Sequence, residues 1–434
     1  MTRPVLALLL LLLLAPAPVA ADLLVTVGDV TASTAQLWLE APAPGPVDLR
    51  LDPAVPAAGR VIAGEGGRAR VTLGGLEPGR RYRYRLRAGG STVEGTFLTA
   101  PAPDDPAPVR LAWSGDLGAR GHCRTPQGWR AVDAVAERRP DLVLLVGDTI
   151  YADHVCYPPA VPGAAFVATT LEGFRARHRY NRADPAVQRL LRRTSVSAIW
   201  DDHDVRNNFA GPSEPLAALG RQAFLDYWPV AAPPGEAGRL YRSLRWGGLL
   251  EIFVLDTRSY RSPNWRPDGP DKTMLGDAQR RWLLDAVAGS TARWKVLVSS
   301  VPLSIQKGWP FADSWAGRSV LGWVTGFVSE RDTILRALQE RGVDRLVVLA
   351  ADVHFGAFMT HRPWAGLVVH ELVAGPLAAR AKSPEPPVAG LGTQVHLAHG
   401  GTPTFGELSV DRDGLTARLF DGDGRVLGTT TWPP

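Results

Sequence analysis

The chain has 434 residues, of which 45% are hydrophobic and 21% are charged. These proportions exclude an intrinsically disordered protein, and the length predicts about two or three domains. The formal charge is +5. The sequence has no long Lys/Arg run of the kind that indicates nucleic-acid binding. A mildly basic surface could instead attract anionic small molecules.

The N-terminal segment has the pattern of an export signal. Arg3 precedes an apolar run from Val5 to Leu14, and small residues follow before Asp22. This predicts a signal peptide over residues 1–21 and a periplasmic or secreted protein without a transmembrane segment after cleavage. The alternative is an uncleaved anchor, although the run is short for a bilayer.

Residues 22–100 are predicted to form a small β domain, because strand-like segments recur between Pro- and Gly-rich turns. A Leu-x-Pro turn at Leu76 before a Tyr-x-Tyr segment at Tyr82 resembles a fibronectin type III sandwich. Residues 101–108 are too proline-rich for a helix or a central strand, and are predicted to be a linker.

Residues 109–434 alternate apolar runs of strand length with helical patterns, which predicts a layered α/β domain. From about residue 367 the pattern becomes β-rich, with a hairpin around Gly414. The predicted strands are 109–113, 142–146, 196–200, 250–255, 295–301 and 346–350, the helices are 128–138, 278–287 and 331–341, and the hairpin strands are 405–410 and 415–420.

Cys123 and Cys156 are the only cysteines. In an oxidising compartment, such a pair predicts one disulfide. The alternative is that one of them is a metal ligand.

Acidic and imidazole side chains follow one predicted strand after another. In open α/β sheets, ligands bind beyond the carboxyl ends of the strands. One such Asp could be a helix N-cap, but burying several converging carboxylates requires cations, so the pattern predicts a metal cluster. The groups are Asp116, Asp148 with Tyr151, the run Asp201-Asp202-His203-Asp204, and Asp352 with His354.

The order of these motifs resembles the calcineurin-like metallophosphatases. The run from Trp200 to Val205 followed by Asn207 and Asn208 resembles the PhoD-like alkaline phosphatase branch in particular. The resemblance implies two central sheets flanked by helices, preceded by the fibronectin-III-like domain. It also implies an exported hydrolase of phosphate monoesters, diesters or both that uses a hydroxide activated by two metals.

The resemblance further implies two adjacent metals bridged by Asp148. A phenolate, a carboxylate and an imidazole at the first site suit Fe³⁺. The oxygen-rich second site suits Ca²⁺, with Mn²⁺ or Mg²⁺ as alternatives. The first site would be formed by Asp116, Tyr151 and His354, and the second by Asp202 and Asp352 with Asn207 or Asn208.

The chain also departs from the family pattern. The wider superfamily has His at the position of Asp352 and another near Ser300, and both are absent. No cysteine ligand stands beside Asp116, and the export signal lacks twin arginines.

His203 is the candidate to orient the phosphate or to protonate the leaving group, beside Asp202 and Asp204. Asn207 and Arg206 could contact the developing charge, although Arg206 could instead form a structural ion pair. The expected substrate is a small-molecule or lipid phosphate ester. Two other hypotheses remain: a phospholipid or nucleotide phosphodiesterase, and a non-catalytic relative that binds a phosphate ligand.

The other histidines receive simpler interpretations. His122 and His154 are expected on loops, where they either contact substrate or are solvated. His178 is expected on the surface of an Arg-rich helix, and His370 is expected to be structural.

Overall fold

The computed structural model describes residues 23–56, 58–157, 160–233, 235–320 and 322–434. The predicted signal peptide, residues 1–21, lies outside the described residues. Within the described ranges, no helix is both long enough and apolar enough to cross a membrane.

The chain forms many short strands and a few helices, in the order that the sequence pattern predicts for residues 109–434. The strands are β1 (Leu24–Gly28), β2 (Thr34–Glu40), β3 (Gly45–Asp52), β4 (Arg60–Ala63), β5 (Arg68–Gly74), β6 (Arg81–Ala88), β7 (Ser91–Leu98), β8 (Val109–Ser114), β9 (Leu142–Val146), β10 (Ser195–Ile199), β11 (Arg242–Trp246), β12 (Leu250–Val254), β13 (Trp294–Val298), β14 (Arg318–Val320), β15 (Trp323–Thr325), β16 (Leu346–Ala350), β17 (Gly356–His361), β18 (Val369–Val373), β19 (Gln394–His399), β20 (Thr404–Asp411), β21 (Gly414–Asp421) and β22 (Val426–Trp432). The helices are α1 (Arg130–Arg138), α2 (Leu171–Arg182), α3 (Pro185–Leu191), α4 (Ala217–Tyr227), α5 (Gly276–Gly289) and α6 (Val328–Glu340).

Two large mixed sheets form the centre of the fold. One has the order β22-β21-β20-β8-β9-β10-β1-β2-β5, and the other has the order β11-β12-β13-β16-β18-β17-β19. Strands β8, β9 and β10 run parallel in the first sheet, as do β12, β13, β16 and β18 in the second. The parallel strands in each sheet therefore end at a common edge.

Alternating side chains of the second sheet show how the layers pack. Val296 and Val298 of β13 join the core shared with the first sheet. Leu297, between them, packs in a separate core with Leu283 of α5 and Leu335 of α6. One face of this sheet therefore meets the other sheet and the opposite face is covered by helices, which explains why its strands are apolar without polar alternation.

The N-terminal strands form a three-stranded and a four-stranded group. Strands β1, β2 and β5 pair together, and the other group has the order β4-β3-β6-β7. The first group is continuous with strands β8 to β10 of the first large sheet, because β1 pairs parallel with β10 at Gly28 and Val196. Beside this junction, the buried Asp29 accepts hydrogen bonds from Ser197 (2.8 Å) and Arg242 (2.9 Å). The predicted domain boundary remains a prediction, and hydrogen bonds cross it.

The predicted disulfide between Cys123 and Cys156 is present, and the two positions are separated by 33 in sequence. It joins the loop that follows β8 to the loop that follows β9. Closing a loop of this length stabilises a fold by about 3–4 kcal/mol in the chain-entropy account. The two loops that flank Asp116 and Tyr151 are thereby tied together.

The prediction for His178 was wrong. This residue of α2 is 1% exposed, and its ring stacks on Tyr227 with 5.3 Å between centroids. The helix can be buried despite its charges because its arginines donate to backbone carbonyls, as Arg177 does to Tyr151 (2.7 Å) and Ala164 (2.9 Å). Burial lowers the pKa of His178 well below its ordinary value, and nearby arginines add to this effect.

Candidate metal centre

The edges of the two sheets meet closely enough to place their terminal residues in one site. Gly147 follows β9 with φ +91°. A Cβ there would lie 2.6 Å from Cβ of Asp201 in the same sheet and 3.2 Å from Cβ of Ser300, which follows β13 in the other sheet. Gly115 follows β8, and its Cβ would lie 2.9 Å from Cβ of Ala351, which follows β16 in the other sheet. Only glycine allows this approach, so both Gly-Asp pairs bring an aspartate to the seam between the sheets.

The residues after the strands adopt an unusual backbone conformation. Asp116, Asp148, Asp352 and His354 have φ values of 61°, 49°, 72° and 64°. Left-handed conformations in non-glycine residues cost about 1–3 kcal/mol where the surrounding structure imposes them, and they cluster at functional sites. Each side chain is turned sharply off the end of its strand toward the seam.

His354 brings the predicted first-site residues together. Its Nε2 lies 3.1 Å from the Tyr151 hydroxyl oxygen and 3.5 Å from Oδ1 of Asp116. Its Nδ1 donates to the carbonyl oxygen of Arg380 at 2.8 Å, which leaves the Nε2 lone pair facing the other two groups. Burial, with help from Lys382, lowers the pKa of His354 to about 3. A neutral imidazole with this orientation can bind a metal ion.

The predicted second-site carboxylates form a neighbouring cluster. Oxygen atoms of Asp148, Asp201, Asp202 and Asp352 lie within 4.8 Å of one another. Asp148 and Asp202 also meet this limit with a ring nitrogen of His203. Asp201 was not a predicted ligand; its Oδ1 accepts from Ser300 (2.7 Å) and Arg258 (2.5 Å).

The donors of both clusters fit metal ions. Burial raises the pKa of Asp116 to about 7, and burial with neighbouring carboxylates raises the pKa of Asp148 well above its ordinary value. Buried oxygen atoms without hydrogen-bond partners are costly unless a cation binds them, and oxygen donors are the ligands of hard cations. Such atoms here are Oδ1 and Oδ2 of Asp116, Oδ2 of Asp148, Asp201 and Asp352, Oδ1 of Asp202 and Oδ1 of Asn208.

Two cations contact carboxylates of the second cluster, Lys307 and Arg258, and neither was predicted from the sequence. The Lys307 Nζ lies 2.9 Å from Oδ2 of Asp202 and also contacts Asp352. Arg258 binds both carboxylate oxygens of Asp313 at 2.8 Å. Burial would raise the pKa of Asp202, but Lys307 with His203 and Arg258 holds it well below its ordinary value. The sequence feature that could have drawn attention to Lys307 is the rarity of lysine. It is one of only four lysines in an arginine-rich chain.

His203 lies beside both clusters. It belongs to a 3₁₀ turn at Asp202–Asp204, and its ring stacks on Tyr151 with 4.4 Å between centroids. Its Nδ1 is 2.8 Å from Oδ1 of Asp153. Burial would lower the pKa of His203, but Asp202 and Asp153 raise it above its ordinary value.

The carboxylate that contacts the His203 ring is Asp153, and not Asp204. Asp153 was not predicted from the sequence. Asp204 faces away from the seam. Its Oδ1 accepts from the Thr149 hydroxyl at 2.7 Å, and its Oδ2 accepts from the Asp201 amide at 2.9 Å. Asp204 therefore fixes the backbone between two strand ends.

Asn207 and Asn208, which were also candidates, line a cleft of about 320 Å³. Lys307, Trp309 and Lys382 line the same cleft. Trp309 is 80% exposed at this cleft.

The side chains of two other candidates make their contacts outside the two clusters. Arg206 is largely exposed, and its guanidinium lies 3.5 Å from Glu214, as expected for a structural ion pair. His122 lines a different surface pocket. The ring of His154 lies 4.8 Å from that of His203.

The fold and the sequence both have relatives. The structure of PhoD superposes with a TM-score of 0.77 at 20% identity, over 96% of this chain and 94% of that chain. A purple acid phosphatase from yellow lupin (Lupinus luteus) seeds gives a TM-score of 0.64 at 14% identity, over 95% and 74%. These likenesses confirm a mixed α/β fold of this type.

Alkaline phosphatase D of Bacillus subtilis (strain 168) is 29% identical over 319 residues, which are 65% of this chain and 52% of that protein. The chain thus spans about half the length of this curated relative. The model of the PhoD-like phosphatases matches residues 120–413, well over half of the chain. The chain therefore belongs to the PhoD-like phosphatase family.

Proposed function

We propose that this chain is an exported, metal-dependent hydrolase of phosphate esters. The observation that carries the proposal is the pair of adjacent clusters at the seam, with buried carboxylate oxygens that lack partners. Family membership supports the same reaction class. The signal peptide predicted at residues 1–21, with its apolar run from Val5 to Leu14, supports export. The pairing of residues 24–98 into groups of three and four strands supports a fibronectin-III-like N-terminal unit.

Asp116, Tyr151 and His354 would hold the first metal, with Asp148 shared between the two. Asp202 and Asp352 would hold the second, and Oδ1 of Asn208 is a further buried donor beside them. Metal ions at these positions would supply Lewis-acid activation of water and of the phosphate ester. The phenol and imidazole favour Fe³⁺ at the first site, and the oxygen-only set favours Ca²⁺ at the second, with Mn²⁺ or Mg²⁺ as alternatives.

The protein groups around the metals have separable tasks. His203, held by Asp153, would orient the phosphate or donate a proton to the leaving oxygen. Asn207 would donate hydrogen bonds to the phosphate from the side of the cleft, and Lys382 would attract its charge. The cleft accommodates an organic substituent, and the exposed Trp309 offers that substituent an apolar face. We therefore favour an organic phosphate ester as substrate.

Metal removal tests the function directly. Purified protein should hydrolyse p-nitrophenyl phosphate or bis(p-nitrophenyl) phosphate, lose this activity on treatment with a chelator, and recover it when iron and calcium are returned. The rates on the matched monoester and diester identify the preferred class. Full activity in metal-free protein would contradict the proposal, and ligand binding without turnover under any metal would favour the non-catalytic alternative.

Tyr151→Phe tests the identity of the first metal. If Tyr151 binds Fe³⁺ as a phenolate, the iron-loaded protein should absorb visible light, and the substitution should remove this band while iron analysis records what remains bound. Tyr227→Phe is the matched control, because Tyr227 is also buried but stacks on His178. A band that persists in Tyr151→Phe would exclude Tyr151 as the ligand, and active protein without iron would exclude iron.

A further inference from the structure

Lys307 contacts both carboxylates that are proposed to hold the second metal. Its Nζ is 2.9 Å from Asp202, contacts Asp352, and is 3.5 Å from Asp313. A Ca²⁺ ion that binds the Asp202 and Asp352 carboxylates would lie about 2.3–2.6 Å from their oxygens. The ammonium contacts Oδ2 of Asp202 and Oδ1 of Asp352, whereas Oδ1 of Asp202 and Oδ2 of Asp352 lack hydrogen-bond partners. A metal ion bound to those free oxygens would lie beside the ammonium on the same two carboxylates, and the two positive charges would repel each other.

The loop that carries Lys307 is held in place, so its position is not that of a loose surface chain. Glu371 accepts from the Leu303 amide and the Ser304 hydroxyl, both at 2.5 Å. The carbonyl oxygen of Lys307 accepts from the Asp313 amide at 2.7 Å. Glu371 is buried against His361 at 2.8 Å, so the loop is anchored from the second sheet.

The remaining charges explain why the amine is retained. Asp202 and Asp352 are both buried, and their neighbours include the carboxylates of Asp148 and Asp201. Arg258 reaches Asp201 and Asp313, whereas its closest approach to Asp202 is 3.7 Å. Among the described side chains, Lys307 is the one cation that forms a salt bridge with Asp352.

We propose that Lys307 is a built-in cation of the second site that the second metal must displace. The proposal rests on the proposed function, because it concerns the same metal centre. Among the described residues, no lysine or arginine forms a salt bridge with Asp116 of the first site, whose contact is His354, so this site would bind its metal tightly. The second metal would bind reversibly. The displaced amine would enter the adjoining cleft, which Lys307 also lines, where it can meet an anionic substrate.

Calcium titration of chelator-treated protein tests this competition. In Lys307→Gln the Ca²⁺ affinity of the second site, measured by calorimetry, should be about tenfold or more higher than in wild type, within the usual range of coupling between two binding events. The melting temperature of metal-free Lys307→Gln should fall, and Ca²⁺ should restore it. Lys307→Arg keeps the cation, and should bind Ca²⁺ no more tightly than wild type.

Lys382→Gln is the matched control for loss of one positive charge near the centre. Lys382 lines the same cleft but makes no salt bridge with the described carboxylates, so its Ca²⁺ affinity should stay within about twofold of wild type. Unchanged or weaker Ca²⁺ binding in Lys307→Gln would overturn the proposal, as would an equal gain in Lys382→Gln.

A measurement on the wild-type protein keeps the proposal testable if Lys307→Gln does not fold. Acetylation of the amine, followed by peptide mass spectrometry, should be slow at Lys307 without metal and faster when Ca²⁺ saturates the site. Lys295, which pairs with Asp344 at 3.4 Å, should not change. No increase at Lys307 would overturn the proposal. Hydrolysis of phosphate esters by wild type with iron and calcium is measured separately. The proposed function and the proposed displacement of Lys307 can therefore fail independently.

Discussion

Asp148→Asn should lower the rate of phosphate ester hydrolysis by about a thousandfold or more, equivalent to about 4 kcal/mol of transition-state stabilisation. Asp148 is the carboxylate placed to serve both metals, and an amide provides one neutral oxygen in place of two charged ones. The measurement is the rate on p-nitrophenyl phosphate with iron and calcium supplied, together with the metal content of the variant. Activity close to wild type would contradict the bridging role.

The same variant should not lose stability when metal is absent. Burial and the charges of Asp202, Asp201 and Asp116 raise the pKa of Asp148, so its ionised form is unfavourable in the metal-free fold. Removing that charge relieves repulsion. In chelator, the melting temperature of Asp148→Asn should therefore equal or exceed that of wild type. A large decrease would indicate that Asp148 is a structural residue.

Asp204→Asn is the matched control for Asp148→Asn. Both carboxylates are buried, and Oδ1 of Asp148 accepts from the His203 amide while its Oδ2 has no partner. In Asp204, by contrast, both oxygens accept hydrogen bonds, from Thr149, Ile150 and Asp201. The amide cannot accept at both positions, so a buried donor is left unpaired at a cost of about 1–3 kcal/mol. We expect Asp204→Asn to lower the melting temperature with or without chelator, which separates a structural aspartate from a metal-binding one.

His203→Asn should lower kcat by about a hundredfold to ten-thousandfold while both metals remain bound, because general acid catalysis contributes a factor of this size. Asp153→Asn should cause a smaller loss, about tenfold to a hundredfold, since Asp153 acts by orienting the His203 ring. Steady-state kinetics and metal analysis of the two variants provide the test.

Two further results separate this role from general disruption of the site. His122→Asn should retain nearly full activity, because His122 lines a different surface pocket. If His203→Asn keeps most of its kcat, the acid lies elsewhere. If it loses its metals, His203 is a ligand, a possibility that its approach to Asp148 and Asp202 allows.

The sequence predicted those parts of the centre that follow strands. Asp116, Asp148, Asp202 and Asp352 each come one to three residues after a buried apolar run, and the shared edge of parallel strands brings such residues together. The division into a phenol-and-imidazole cluster and a carboxylate cluster came from family resemblance, and it stays a prediction. Tyr151 and Asp116 lie 3.1 and 3.5 Å from His354.

The sequence could not predict the residues that reach the centre from loops. Lys307 and Asp313 lie in a long irregular segment after β13, where no periodicity relates position in sequence to position in space. Asp153 was missed for the same reason. His178 was misassigned because an arginine-rich helix normally faces water, and only tertiary structure reveals the carbonyl oxygens that its arginines bind.

The pairing of β1 with β10 bears on how such chains evolve. Strand β10 delivers Asp201, Asp202 and His203, and the N-terminal unit covers its free edge. A catalytic fragment that began at residue 109 would expose that edge to pairing with other chains, and would leave Arg242 buried without Asp29. Exchange or loss of the N-terminal unit among relatives would thus require compensating changes at the edge of β10. We therefore expect the N-terminal unit to accompany this sheet in relatives, and not to be exchanged as an independent module.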